Sequence, residues 1–274
     1  MPAFPRESEV IQTSYTSDPV SIVPDFLKVP AYDCQPITLD RIDFAKTDLP
    51  EYEGCFAVVL ENVLSPSECA SLLALAEKSA TTSQGWRPAM VNAGENFEAL
   101  ATDYRNSDRI IWDNKEMVDR LWERCCTVPG LREMLNSIGE GQDLLTRYAI
   151  ATGENWRFSR LNERMRFLRY GPGQFFKRHT DGAYSTCDTG KHERTFYTFH
   201  LYLSQDEYLD GGATTFHPAR NQWTDTKNEK RLNVDSKVGR VLIFQHRRLL
   251  HSGDTVLAGI KHTMRTDLLF ERVE

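Results

Sequence analysis

Long apolar runs and paired cysteines are both missing from this sequence. Its 274 residues contain no run of about 18 apolar residues, and Met1–Glu7 lacks the basic-then-apolar pattern of a signal peptide. The six cysteines have no C-x-x-C spacing, and two of them, Cys125 and Cys126, are adjacent. We therefore expect a cytoplasmic protein with reduced thiols, without a transmembrane helix or a disulfide framework.

Internal repeats, low-complexity tracts and clear linkers are also absent. The composition, 40% hydrophobic and 26% charged, is ordinary for a globular chain. Residues 1–50 are rich in Ser, Thr, Asp and Pro and have little periodicity. We predict an extended leader over 1–50 and a single domain over 51–274.

The chain has a small net charge, but its charged residues are unevenly distributed along the sequence. The net charge of −6 argues against nucleic acid or an anionic membrane as a partner. Residues 157–178 nevertheless hold seven basic side chains and one acidic one. A basic segment near a cleft would concentrate an anionic ligand, although any single arginine is more commonly a solvated surface residue.

Helix signals lie in the first half of the chain. Ser65-Pro66-Ser67-Glu68 is a capping box with proline at the first helical position, and it predicts a helix running to about Ser79. Asp113 followed by Glu116 predicts a second start, and a third short helix is expected from Pro129 to Gly139. The apolar stripes of these helices are expected to be core.

Strand signals dominate the second half. Runs rich in aromatic and β-branched residues, separated by Gly and Pro turns, are typical of a β-barrel or a β-sandwich. The predicted strands are Val20–Val23, Phe26–Val29, Cys55–Leu60, Thr146–Ala151, Arg164–Tyr170, a strand delivering His179, Phe196–Leu203, Asp210–His217 and Gly239–Phe244.

Two histidines and one aspartate form the candidate metal site. Side chains two apart on an extended strand point the same way, so His179 and Asp181 can bind one ion together. His251, 70 positions after Asp181, is the candidate third ligand. Two imidazoles and one carboxylate make the facial triad of non-haem iron(II) sites, which leaves open coordination positions.

The motifs around this triad resemble those of the 2-oxoglutarate- and iron(II)-dependent dioxygenases, in the prolyl-4-hydroxylase-like branch. Tyr170 lies nine residues before His179, and Gly211-Gly212-x-Thr214-x-Phe216 follows the first two ligands. His251 is followed by Gly259-x-Lys261. Together these motifs span roughly residues 160 to 271.

This resemblance implies a fold and a set of cofactors. The fold would be α+β but mainly β, a double-stranded β-helix (jelly roll) with bracing N-terminal helices and a core over about 145–271. The cofactor would be Fe(II), with 2-oxoglutarate and O2 as co-substrates. The implied activity is hydroxylation of an unactivated C–H bond, with the protein supplying binding, orientation and exclusion of water.

The resemblance also assigns residues to 2-oxoglutarate. Lys261 matches the basic position that pairs the distal carboxylate, and Arg265, four residues on along the same face, is the alternative anchor. Thr263 shares that face. Tyr170 and Tyr202 match family positions that contact 2-oxoglutarate, although a buried tyrosine is as often simply core.

Three other interpretations remain at this point. Two histidines and an acid also suit a hydrolytic zinc site, but no HExxH motif is present. A non-catalytic jelly-roll binding module would make the triad incidental. The same cofactor chemistry could instead end in desaturation or cyclisation, whereas halogenation needs a small residue where Asp181 stands.

The substrate is predicted only by class, as a small molecule or an intracellular prolyl residue. The segments expected to select it are Ala183–Glu193, Asn221–Lys230 and Trp86–Asp108. Arg166, Arg169 and Arg194 are candidate substrate contacts, with a solvated or structural role as the commoner alternative. The remaining histidines have no carboxylate at ligand spacing: His192, His200, His217, His246 and His262.

Overall fold

Two β-sheets face each other in the structure, a computed structural model that describes residues 10–80, 85–94, 97–138, 153–204, 206–219 and 229–273. The helices are α1 (Pro66–Ser79), α2 (Lys115–Cys125) and α3 (Leu131–Met134), with 3₁₀ turns at Phe44–Lys46 and Pro50–Tyr52. The strands are β1 (Val10–Gln12), β2 (Thr38–Arg41), β3 (Ala57–Glu61), β4 (Arg87–Pro88), β5 (Val91–Gly94), β6 (Phe97–Ala99), β7 (Arg105–Asn106), β8 (Asp108–Asp113), β9 (Ser137–Ile138), β10 (Asn155–Leu161), β11 (Arg164–Tyr170), β12 (Phe175–His179), β13 (Ser185–Thr186), β14 (Glu193–Tyr202), β15 (Asp210–Gly211), β16 (Thr214–Phe216), β17 (Leu232–Val234), β18 (Val241–Gln245), β19 (His251–Gly253), β20 (Val256–Ala258) and β21 (Lys261–Val273).

The larger of the two facing sheets, the major sheet, has eleven strands. Its main path is β2-β3-β18-β14-β21-β11-β8-β4, with β9, β10 and β13 attached beside it. The minor sheet has five strands in the order β17-β16-β19-β12-β7, and two small sheets, β1-β6-β5 and β15-β20, lie apart from it. The predicted double-stranded β-helix with a mainly β composition is confirmed.

Successive side chains of β21 alternate between the hydrophobic core and the space between the two sheets. Met264, Leu268 and Phe270 belong to the main hydrophobic cluster, which also contains the buried faces of α1 and α2. Lys261, Thr263, Arg265 and Asp267 have the opposite parity and face the space between the two sheets, which we call the central space. Every residue proposed below to bind a ligand borders this space.

Helix α1 forms where the capping box predicts it. The Ser65 hydroxyl accepts a hydrogen bond from the Glu68 amide at 3.2 Å, and the Glu68 carboxylate accepts one from the Ser65 amide at 2.9 Å. Leu72 and Ala76 are buried on its inner face. The helix ends at Ser79, as predicted.

The predicted bounds of the other two helices are wrong by small amounts. Asn114, not Asp113, caps α2, because the Asp113 carboxylate is bound by the Arg164 guanidinium at 2.7 Å. Helix α3 ends at Met134 instead of Gly139, because Ser137–Ile138 pairs as a strand with β10.

The two strands predicted in the leader at 20–23 and 26–29 are wrong. That stretch is irregular and then turns, with hydrogen bonds from Phe26 to Val23 and from Lys28 to Asp25. Its carbonyls instead accept from α2, where Arg120 donates to the Phe26 carbonyl at 2.6 Å. The strands that the leader does contribute are β1 and β2.

Most of the later predicted strands agree with the structure where it describes them. Arg164–Tyr170 matches β11, and β3, β14 and β18 differ from the predicted ends by one to three residues. The stretch Asp210–His217 instead forms two short strands, β15 and β16, which belong to different sheets. The predicted strand Thr146–Ala151 lies outside the described residues. None of the described helices has the length and apolar character needed to cross a membrane.

Candidate metal and co-substrate site

The three candidate metal ligands meet on the inner side of the minor sheet. His179 ends β12, His251 begins β19, and the two are register partners. Asp181 lies just beyond the end of β12, and its carboxylate is 3.7 Å from the Nε2 atom of each histidine. One ligand atom from each residue lies within 4.8 Å of the others, close enough for a single ion.

Backbone contacts determine which nitrogen of each histidine faces Asp181. The Nδ1 of His179 lies 2.7 Å from the Lys177 carbonyl, and the Nδ1 of His251 lies 3.0 Å from the Leu249 carbonyl. Because a carbonyl only accepts, each Nδ1 carries the proton and each Nε2 presents a lone pair. Such carbonyl contacts are the usual support for metal-binding imidazoles.

The electrostatics of the site favour a divalent cation. Burial lowers the pKa of His179 and of His251, so both rings are neutral near neutral pH. Burial alone would raise the pKa of Asp181, but the Arg265 guanidinium beside it holds that pKa well below its usual range. Two neutral imidazoles and one carboxylate are the donor set of the facial triad, which fits Fe(II).

Aromatic side chains restrict the two histidine rings. Phe176 stacks on His179 with ring centroids 3.7 Å apart, and Phe244 approaches His251 edge-on at 4.8 Å. The His217 ring contacts Ser252, the neighbour of His251, at 2.7 Å. These contacts fix the ring orientations before any ion binds.

A lysine without an acidic partner lies deeper in the central space. Lys261 is 2% exposed, and its ammonium lies 5.2 Å from the ring centre of Tyr170 and 5.8 Å from that of Tyr202. Among the described residues it forms no ion pair, and burial lowers its pKa to about 8. A buried cation of this kind is stabilised when an anion binds beside it.

Two residues with hydroxyl groups border the same pocket: Thr263 lies two positions after Lys261 on β21, and the Tyr202 ring centre lies 5.8 Å from the Lys261 ammonium. The Thr263 Oγ1 atom is buried and has no hydrogen-bond partner within the described part of the chain, so it is available to a ligand. The Tyr202 hydroxyl donates to Thr214 at 2.7 Å, which ties the tyrosine to the Gly-Gly-x-Thr motif. Lys261 and Thr263 together suit a carboxylate.

The glycine pair is required by close packing against Lys261. Gly212 has φ of +68°, and a Cβ there would lie 3.1 Å from the Lys261 Cδ and 3.1 Å from the Val256 Cγ2. Gly211, at φ +74°, would place a Cβ 2.4 Å from the Thr255 carbonyl oxygen. Only glycine fits both the dihedrals and the available space.

Arg265 lies at the end of the central space that holds the three candidate metal ligands. Its guanidinium lies 3.1 Å from Asp181 and 3.1 Å from Asp267. Four residues of strand separate it from Lys261, a distance of about 13 Å. Lys261 and Arg265 therefore lie at different ends of the same face of β21.

Several residues that border the candidate metal site were not predicted from the sequence. Thr198 donates its hydroxyl to Asp181, and Asp267 contacts Arg166 at 3.2 Å and His246 at 3.4 Å. Alternation along β21 could have identified Asp267, two positions after Arg265. Arg105, on the minor sheet, had no sequence signal.

Comparison with known proteins gives a family for this architecture. Residues 165–266 match the family model described as the 2OG-Fe(II) oxygenase superfamily. No curated protein gives a significant match.

Similar solved structures include hydroxylases and an epimerase. The viral collagen prolyl hydroxylase of Paramecium Bursaria Chlorella virus-1 is 16% identical, with a TM-score of 0.46 over 78% of this chain and 95% of that one. A Pseudomonas putida prolyl-4-hydroxylase is 14% identical, with a TM-score of 0.48 over 82% and 95%. The epimerase SnoN from nogalamycin biosynthesis is 16% identical, with a TM-score of 0.43 over 81% and 78%.

The family match confirms the resemblance found in the sequence motifs. The chain contains a 2OG-Fe(II) oxygenase domain, and the protein is an Fe(II)- and 2-oxoglutarate-dependent dioxygenase. Fe(II), 2-oxoglutarate and O2 are its cofactor and co-substrates.

Proposed function

We propose that His179, Asp181 and His251 bind the Fe(II), and that Lys261 pairs the distal carboxylate of 2-oxoglutarate. The observation that carries this assignment is the position of two complementary groups in one central space. The three candidate ligands lie at one end, and a buried lysine that forms no ion pair among the described residues lies at the other. A dicarboxylate with an oxo-acid group can bind both ends at once.

The bound Fe(II) supplies the oxygen chemistry, and the residues of this chain bind and orient the reactants. The two Nδ1–H···O=C contacts keep both imidazoles in the ligand tautomer, and Thr198 and Arg265 position the Asp181 carboxylate. Thr263 donates its free hydroxyl to the distal carboxylate beside Lys261. The Tyr170 and Tyr202 rings line that pocket and exclude water from it.

The reaction we propose is hydroxylation of an unactivated C–H bond in a small molecule or in an intracellular prolyl residue. The domain would comprise residues 51–274, with residues 1–50 as a leader packed against it. Substrate selection would fall to 183–193, 221–230 and 86–108, of which the middle segment lies mostly outside the described residues.

Oxygen-dependent turnover of 2-oxoglutarate tests the assignment. Wild-type protein with added Fe(II) should convert 2-oxoglutarate to succinate under air, and His179→Ala should not. His262→Ala is the matched control, since His262 packs towards Trp86 on the opposite face of β21. Wild-type turnover by His179→Ala at saturating Fe(II) would exclude the proposed ligand set.

A binding screen then identifies the substrate class. The protein is loaded with Fe(II) and an inert 2-oxoglutarate analogue and incubated with a metabolite extract or a prolyl-peptide pool. Compounds retained after gel filtration are identified by mass spectrometry. Product formation from a retained compound would distinguish hydroxylation from desaturation or cyclisation by its mass change.

A further inference from the structure

Positive charge is in excess around Asp181 in the central space. Arg166 and Arg265 are register partners on adjacent strands of the major sheet. Arg105 approaches from the minor sheet, where it pairs with Phe176. In the described part of the chain, the carboxylates that pair with these guanidinium groups are Asp181 and Asp267.

Arg105 has no acidic partner in the described part of the chain. It is 8% exposed, its guanidinium lies 4.6 Å from the ring centre of Phe176, and one terminal nitrogen donates to the Met90 carbonyl at 3.4 Å. Phe176 stacks in turn on the metal-ligand candidate His179. Burial lowers the pKa of Arg105 to about 10. An unpaired buried cation is costly, and a bound anion would offset that cost.

Two guanidinium donors lack acceptors. The Nε atoms of Arg105 and of Arg265 are both buried without a hydrogen-bond partner among the described residues. They come from opposite sheets, and the interaction of Arg265 with Arg105 contributes to the lowered pKa of Arg105. A ligand with oxygen acceptors placed between the sheets could satisfy both donors.

The charges do not balance when the site is loaded. Arg105, Arg166 and Arg265 oppose Asp181 and Asp267, which leaves one positive charge, and Lys261 is not counted because the Asp254 carboxylate acts on it. A divalent metal and the 2-oxoglutarate dianion cancel each other and leave that excess unchanged. The neighbouring Arg109 does not alter the count, because it pairs with Glu98 at 2.9 Å.

We propose that the primary substrate is an anion, and that Arg105 binds its carboxylate or phosphate group together with Arg265, next to the metal site. This inference rests on the proposed function, because it places the substrate beside the same triad. It narrows the substrate class to molecules that carry an acidic group near the carbon that reacts. The 2-oxoglutarate dianion then binds to Lys261, at the other end of the same face of β21.

Probe binding to protein that cannot turn over tests the proposal. The probes are benzoate and phenyl phosphate as anions, benzamide as the neutral analogue and benzamidine as the cation. Saturation-transfer NMR gives their affinities for the metal-free protein. Relaxation of probe protons by Mn(II), in protein loaded with Mn(II) and 2-oxoglutarate, reports whether a bound probe lies beside the metal.

We expect at least one anionic probe to bind at least tenfold more tightly than benzamide, and to be relaxed by Mn(II). Arg105→Gln should abolish this preference and leave 2-oxoglutarate affinity within threefold of wild type. Arg132→Gln, which removes an exposed arginine paired with Glu123, is the matched control and should change neither affinity. The difference between benzoate and phenyl phosphate distinguishes a carboxylate from a phosphate.

A second variant separates ligand binding from a structural role. Arg105→Met keeps the length of the side chain and removes the buried charge, so it should keep or raise the Tm while the anion preference disappears. A large fall in Tm with the anion preference retained would make Arg105 structural and overturn the proposal.

Other outcomes are also decisive. Equal affinity for charged and neutral probes, or a preference for benzamidine, would overturn the anionic class. Loss of 2-oxoglutarate affinity in Arg105→Gln would make Arg105 a co-substrate anchor. Failure of the wild-type protein to bind Mn(II) and 2-oxoglutarate would instead refute the proposed function, while the metal-free measurement would still decide the anion preference.

Discussion

Replacing Lys261 with methionine gives the sharpest test of the co-substrate pocket. The change removes one ammonium from a site that is 2% exposed and lies between the rings of Tyr170 and Tyr202. Breaking one charge-assisted contact in such a shielded pocket costs about 2–5 kcal/mol. At about 1.4 kcal/mol per tenfold change, the dissociation constant of 2-oxoglutarate should rise by roughly 30-fold to several thousandfold.

Calorimetric titration of 2-oxoglutarate into Mn(II)-saturated protein measures that loss without turnover. His262→Ala controls for the strand itself, and Arg265→Gln controls for the second cation on the same face. Both should change the affinity much less, because His262 faces Trp86 and Arg265 is bound to Asp181 and Asp267. A large loss in Arg265→Gln with little change in Lys261→Met would refute the assignment and make Arg265 the anchor.

The same lysine predicts a pH dependence. Burial lowers its pKa to about 8, and only the ammonium form can pair the carboxylate. The affinity should therefore be constant below about pH 8 and fall by about tenfold per pH unit above it. Lys261→Arg, which stays charged, should abolish this fall. In the ligand-free protein the lowered pKa makes the folded state more stable as the pH rises, because the unfolded chain holds the Lys261 proton more tightly. The unfolding free energy should therefore increase from about pH 8 up to pH 10.5, the ordinary pKa of lysine.

Three further predictions concern the metal, the core and the leader. Asp181→Ala and His251→Ala should lose tight Mn(II) binding while keeping the wild-type circular dichroism spectrum; retained binding by either would contradict the triad. Glu68→Gln should lower the unfolding free energy by about 3–5 kcal/mol in urea titrations, because it leaves the buried Arg124 guanidinium without its carboxylate partner. The exposed pair of Arg132 and Glu123 supplies the control, since Glu123→Gln should cost under about 1 kcal/mol. Deleting residues 1–20 should leave Mn(II) affinity unchanged, because no candidate ligand lies there, but should lower the Tm, since Tyr15 bonds to Glu98 and Arg109.

Local sequence signals predicted the elements that depend on a few neighbouring residues. The capping box at Ser65 determined where α1 begins, because the two reciprocal hydrogen bonds involve only residues three apart. Alternation predicted that Lys261, Thr263 and Arg265 share one face, since the strand period is two. Where a distant residue competed, the local signal failed, as at Asp113, which pairs with Arg164 on β11 instead of capping α2.

Sequence motifs and strand alternation predicted which residue types would act as ligands and which of them share a face. Three features are visible only in the folded chain: Arg265 lies against Asp181, Lys261 forms no ion pair with any residue that the structure describes, and Arg105 enters the central space from the opposite sheet. The physical reason is that burial and charge pairing depend on which strands face each other. Arg105 and Arg265 are 160 positions apart in the chain, and no periodicity within either strand carries that information.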